Sequence, residues 1–138
     1  MIERKLALEE QMMSRAIDNA AKARPRCMPN PWVGAVLVSP NGQMFDGFTQ
    51  EFGLGHAETV CLDEAGEKAQ DATLYVTLEP CSHIGKTGPC VERIIESRVS
   101  RVVIGMKDPD SHVSGEGIKS LQKAGIDVVV GVLKGLVA

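Results

Sequence analysis

The spacing of apolar residues changes character several times along the chain, and each change marks an element. Leu6, Met13, Ala16, Ile17 and Ala20 recur at helical spacing and predict a helix over 5–23. Arg24-Pro25 ends it, because a residue before proline is pushed out of the α region. After the loop RCMPNP, the run Val33-Gly34-Ala35-Val36-Leu37-Val38 is continuously apolar, which suits a strand buried on both faces. Ser39-Pro40-Asn41-Gly42 predicts a hairpin-type turn into a second, more amphipathic strand, about Gln43–Phe48, antiparallel to the first. A second helix is expected from His56 to about Lys68, and Thr73–Leu78 reads as a β-rich strand. Pro89 suits the first turn of a third helix, Cys90–Ser97, and Arg101–Gly105 is a further short strand. A turn-rich loop at Asp108–Ser111 leads to a helix over Gly117–Ala124, which Gly125 terminates, and Ile126–Val130 is the last strand.

This order, one helix, two strands, then alternating helices and strands, predicts an α/β fold. It is a five-stranded mixed sheet with helices on both faces, three layers in all, whose later crossovers are right-handed βαβ units. No repeat or linker interrupts it, so 1–138 is expected to be a single domain with one active site. A chain of this length buries roughly two-thirds of its unfolded surface and needs neither disulfide nor metal merely to fold. Its 43% apolar and 24% charged residues exclude a disordered or fibrous chain. A net charge of −3, with no basic cluster, argues against duplex DNA or an anionic membrane as partner. The N-terminus lacks an apolar signal core and carries too many acids for a transit peptide. No stretch approaches the ~20 apolar residues of a membrane span, so the expected compartment is the cytoplasm. There, the four cysteines Cys27, Cys61, Cys81 and Cys90 point to metal binding or catalysis rather than a disulfide framework.

Chemistry concentrates in His56-Ala57-Glu58, Pro80-Cys81 and Cys90. One histidine and two cysteines suit tetrahedral zinc, one ion per chain, with the fourth position left open for water, whereas a structural site closes all four. Zinc lowers the pKa of bound water towards neutrality, and Glu58, two residues from a ligand, is placed to serve that water as a proton carrier. Positions i and i+2 point to different sides of a regular helix, so His56 and Glu58 converge only near a helix end, where the expected boundary puts them. Cys81 and Cys90 lie at or near the start of the third helix, where the helix dipole favours thiolates. A closed structural site with His83 as fourth ligand is the alternative. Cys27 and Cys61 read as structural, Cys61 lying on the apolar face of the second helix beside Ala57 and Val60.

An H-x-E followed by P-C and a further cysteine is the signature of the zinc-dependent nucleobase deaminases. The strings PNPWVGAVLV, GHAETVCL, TLYVTLEPCSHIGKTGPC and KDPD with its AGIDV tail resemble the deaminase domain of the bacterial bifunctional riboflavin-biosynthesis deaminase/reductase. The likeness runs from about Met12 to Val132, and the eight residues between Cys81 and Cys90 set it apart from deaminases with a two-residue spacer. The resemblance implies a cytidine-deaminase-like fold, with His56, Cys81 and Cys90 as zinc ligands and Glu58 as proton shuttle. It also implies hydrolytic removal of an exocyclic amine from a diaminohydroxyphosphoribosylaminopyrimidine. Asn30 resembles the family's pyrimidine-contacting asparagine, and its alternative is an Asx-type turn. Lys86 and Thr87 resemble ribose-phosphate contacts, with a solvated loop as alternative; His83 and Asp108 resemble positions near the substrate. Two departures fall beside the expected pocket. Thr49 stands where the family usually carries histidine, and Asp110, followed by Ser111, stands where it usually carries asparagine. An ionised aspartate only accepts hydrogen bonds where an asparagine also donates, so Thr49 and Asp110 bear on substrate choice and not on reaction type.

The leading expectation is thus a stand-alone deaminase without a reductase domain, acting on a small amino-heterocycle. Its variant is a riboflavin-type deaminase repurposed for another pyrimidine- or purine-like ring in a specialised pathway. Nucleic-acid editing is disfavoured by the net acidity and by one tryptophan and one tyrosine, which leave little for base stacking. A non-catalytic module with structural zinc would have no use for Glu58. By analogy of fold, a homo-oligomer, dimer or larger, is expected.

Overall fold

The computed structural model describes residues 2–21, 33–48, 57–78, 90–106 and 116–131, and within these the side chains from Glu10 onward except those of Ala21, Leu78, Cys90, Met106 and Glu116. The described chain forms α1 (Ile2–Ala21), β1 (Gly34–Val38), β2 (Met44–Phe48), α2 (Ala57–Ala65) with a following 3₁₀ turn (Gly66–Ala69), β3 (Thr73–Leu78), α3 (Cys90–Glu96), β4 (Arg101–Met106), α4 (Glu116–Lys123) and β5 (Asp127–Val130). Every element anticipated from the sequence is present. The second helix departs from expectation in ending at Ala65, where Gly66 adopts φ +57 and the chain tightens into the 3₁₀ turn. The loop RCMPNP and the end of the first helix at Arg24-Pro25 lie outside the described residues.

The five strands form one sheet in the order β2-β1-β3-β4-β5. β1 runs antiparallel to both of its neighbours, while β3, β4 and β5 are mutually parallel. Alternation along the strands divides the core in two. Ala35, Leu37, Leu74, Val76, Val102 and Ile104 face α2, α3 and α4, where they pack with Leu62, Ile94 and Leu121. Val36, Tyr75 and Val103 face the other way, against Met13 and Ala16 of α1. These are the three layers and the helices on both faces that the sequence predicts. No described helix is long and apolar enough to cross a membrane.

α1 lies directly on β1. A Cβ added at Gly34 would fall 1.8 Å from the Ala16 carbonyl oxygen and 2.4 Å from the Ala20 nitrogen, so only glycine admits the helix there. A polar clamp ties the same helix to the edge strand. Buried Asn19 donates through Nδ2 to the Ala35 carbonyl (3.1 Å) and to Asp46 Oδ1 (2.8 Å). Arg15 donates through Nε and Nη2 to the two Asp46 oxygens at 2.7 and 2.6 Å, and the carboxylate raises the Arg15 pKa through this hydrogen bond and its charge. The two halves of the clamp differ in worth. The Arg15–Asp46 pair is 42% and 36% exposed, so water and salt screen it to about 1 kcal/mol or less. Asn19 is sealed in, and removing it takes away a buried hydrogen bond to a carboxylate, which is worth more than a bond between neutral groups. We therefore predict that Asn19→Ala lowers the unfolding free energy in urea by about 1–3 kcal/mol, and Arg15→Ala by under about 1 kcal/mol. A larger loss at Arg15 would contradict this ranking.

Candidate active site

Because β1 is reversed, several chain ends meet at one edge of the sheet. Gly34 at the start of β1 pairs with Phe48 at the end of β2, and its N–H donates to Thr77 Oγ1 near the end of β3 at 3.2 Å. Leu78 at the end of β3 pairs with Met106 at the end of β4. α2 begins at the same edge, since Ala57 lies over Gly47, one residue from Phe48. α3 ends at the opposite edge, where the Arg98 carbonyl accepts from the Asp71 N–H at 2.9 Å, so Cys90 opens the helix on the candidate side. The crevice beyond the carboxyl ends of parallel strands is the general place for ligands in open α/β sheets.

Among the site residues expected from the sequence, Glu58 is the one whose side chain is described. It stands in the first turn of α2 and is 4% exposed. A helix N-terminus favours negative charge, which offsets part of the cost of burying a carboxylate there. Cys90 is the first residue of α3, and its side chain is outside the described set. His56, which immediately precedes α2, and Cys81, three residues past β3, lie outside the described residues. So do Asn30, Thr49, His83, Lys86, Thr87, Asp108 and Asp110. Among the described residues, no three His, Cys, Asp or Glu side chains gather as a metal site.

Cys61, one turn beyond Glu58, is fully buried, and its thiol donates to the Phe45 carbonyl at 3.4 Å. Burial first, then the charges of Glu58, Asp46 and Glu64, push its pKa far above the ordinary value of 9.0. It is a packing residue held as the neutral thiol, as the apolar face of the helix predicted. Gly47, against which the first turn of α2 rests, escaped the sequence reading. A glycine inside a strand pattern signals a close backbone approach and was the available clue.

Residues 7–106 match the family model of the cytidine and deoxycytidylate deaminase zinc-binding region. The chain belongs to this deaminase family. It is 46% identical over 125 residues to the riboflavin biosynthesis protein RibD of Aquifex aeolicus, an alignment covering 91% of this chain and 35% of that protein. The chain thus spans about a third of the length of this curated relative. Among solved structures, it superposes with a TM-score of 0.88 and 45% identity on a diaminohydroxyphosphoribosylaminopyrimidine deaminase/5-amino-6-(5-phosphoribosylamino)uracil reductase from Thermotoga maritima, covering 96% of this chain and 39% of that one. The Rib2 deaminase of Aspergillus oryzae, solved in complex with DARIPP, matches with a TM-score of 0.73 and 28% identity over 88% of this chain and 82% of that one.

The thiol state yields a pH prediction. Cys61 has a folded-state pKa raised above its unfolded value, so its stabilising contribution is complete below about pH 9 and is lost as pH rises beyond it, by up to about 1.4 kcal/mol per unit. The stability gap between wild type and Cys61→Ala, measured in urea, should therefore shrink by about 1 kcal/mol between pH 8 and pH 10. A gap that is constant with pH would mean the buried thiol is not held neutral.

Proposed function

We propose that this chain hydrolyses the exocyclic amine of a diaminohydroxyphosphoribosylaminopyrimidine, releasing ammonia, as one deaminase domain with one zinc ion per chain. The observation that carries the reading is the buried carboxylate of Glu58 in the first turn of α2, at the edge where β2, β3 and β4 end. Support comes also from the relatives, since a riboflavin-pathway deaminase/reductase and a DARIPP-bound deaminase share this fold.

The donor set fits zinc. His56 would supply an imidazole and Cys81 and Cys90 two thiolates, and the described residues nearest to each, Ala57, Leu78 and Cys90 itself, lie at the candidate edge. When bound, zinc supplies a Lewis acid that brings the pKa of water towards neutrality. Glu58 would accept a proton from the attacking water as its oxygen bonds to the amine-bearing ring carbon, and would pass that proton to the ring nitrogen. The second proton of the added water would reach the leaving nitrogen by the same carboxylate as the C–N bond breaks, giving ammonia and the ring carbonyl. Burial of Glu58 keeps bulk water from competing for these protons. Asn30, His83, Lys86, Thr87 and Asp108 are assigned to substrate binding, Lys86 and Thr87 at the ribose phosphate. Thr49 and Asp110 are where a second reading enters, a deaminase of the same chemistry acting on a different amino-heterocycle.

The purified protein, incubated with diaminohydroxyphosphoribosylaminopyrimidine, is expected to release ammonia at an ordinary enzymatic rate of about 1 per second or faster. Glu58→Gln should lower kcat by about 10²–10⁴-fold while retaining bound zinc. Full activity in Glu58→Gln would overturn the mechanism. Inertness towards this substrate with turnover of another aminopyrimidine would favour the second reading.

A further inference from the structure

Gly47 makes a contact in the fold that the deaminase chemistry does not by itself explain. It lies in β2 on the side that faces α2, two residues from Phe45. A Cβ built on it would lie 2.3 Å from the Ala57 carbonyl oxygen, 2.8 Å from Cys61 Sγ and 3.2 Å from the Cys61 nitrogen. The nearest of these atoms is helix backbone, which cannot swing aside as the end of a long side chain can. Ala57 and Cys61 are spaced i and i+4, so the strand touches both ends of the opening turn of the helix. The second anchor is the Cys61 thiol, which donates to the Phe45 carbonyl on the same strand at 3.4 Å.

We propose that Gly47 and Cys61 form a seat that sets the height of the first turn of α2, making them positioning residues for Glu58. The proposal rests on the function assigned above. Glu58 follows Ala57 directly and sits between the two contact points, so any lift of that turn moves its carboxylate. Ordinary van der Waals contact begins near 3.4 Å, so a methyl group at position 47 obliges the turn to move on the order of 1 Å. A misplacement of about 1 Å in a catalytic group can cost about 10²-fold in rate. Gly34 makes a still closer contact, but with α1, which carries none of the candidate site residues.

The test compares Gly47→Ala with Val103→Ala, a cavity variant in the α1-side core that touches no part of α2. Gly47→Ala should lower kcat by about 100-fold with KM changed less than about threefold. Val103→Ala should keep kcat within about twofold of wild type. Amide hydrogen exchange at Cys61 and Leu62 should quicken at least about tenfold in Gly47→Ala, while that of Leu121 in α4 stays near wild type. If Gly47→Ala does not fold, Cys61→Val, which overfills the same contact more gently, takes its place with the same pattern at about tenfold in kcat. Unchanged kcat and unchanged exchange at α2 in the folded variant would overturn the proposal, as would equal kcat losses in Gly47→Ala and Val103→Ala. Should the wild-type chain turn over no aminopyrimidine, the assigned function fails, and the exchange measurement alone decides the seat.

Discussion

Strand β1 runs against both of its neighbours, and the position of the candidate site depends on that reversal. A parallel β1 would have carried its first residue to the far edge, away from the ends of β3 and β4. Instead Gly34 meets Phe48 and the Thr77 hydroxyl at the edge where Leu78 and Met106 also end. Burial enforces the arrangement. Val36 and Leu37 are fully buried on opposite faces, and a slip of one residue would exchange the two faces of the strand. The Asn19 and Arg15 clamp on Asp46 holds α1 across β1 and the edge strand, so register and helix position support one another.

Upon that edge, α2 places the Glu58 side chain. It is short, nine residues, and its packing face is small, Ala57, Cys61 and Ala65, with Leu62 as its one large buried apolar side chain. Small residues let the helix backbone come down onto the strand. Close approach buries Cys61, and its thiol pKa rises first through that burial and then through the charge of Glu58, one turn back on the same helix. The turn that seals this part of the core is thus the turn that carries Glu58.

Most of the fold was legible in the sequence because its signals are local. The apolar run at Val33–Val38, the Ser39–Gly42 turn and the β-rich Thr73–Leu78 each declare an element without reference to the others. The turn is closed by Gly42 N–H donating to the Ser39 carbonyl at 2.9 Å, with Gly42 at φ +89. Glu58 was singled out as a candidate for a different reason, since its distance from His56 along the chain is a chemical spacing and not a periodicity. Less legible was whatever depends on two elements meeting. Nothing local shows that Asn19 reaches Asp46, or that Gly47 lies beneath Ala57, because those contacts join residues far apart in the chain. The early end of α2 also followed from backbone conformation at Gly66, which the helical pattern through Lys68 concealed.

The central claim is that this edge holds an open zinc site served by Glu58. X-ray absorption at the zinc edge of the zinc-loaded protein tests it most directly. The account predicts two sulfur neighbours near ~2.3 Å, one imidazole nitrogen and one oxygen near ~2.0 Å. A second imidazole in place of the oxygen, as a closed structural site completed by His83 would give, or any other sulfur count, would contradict it.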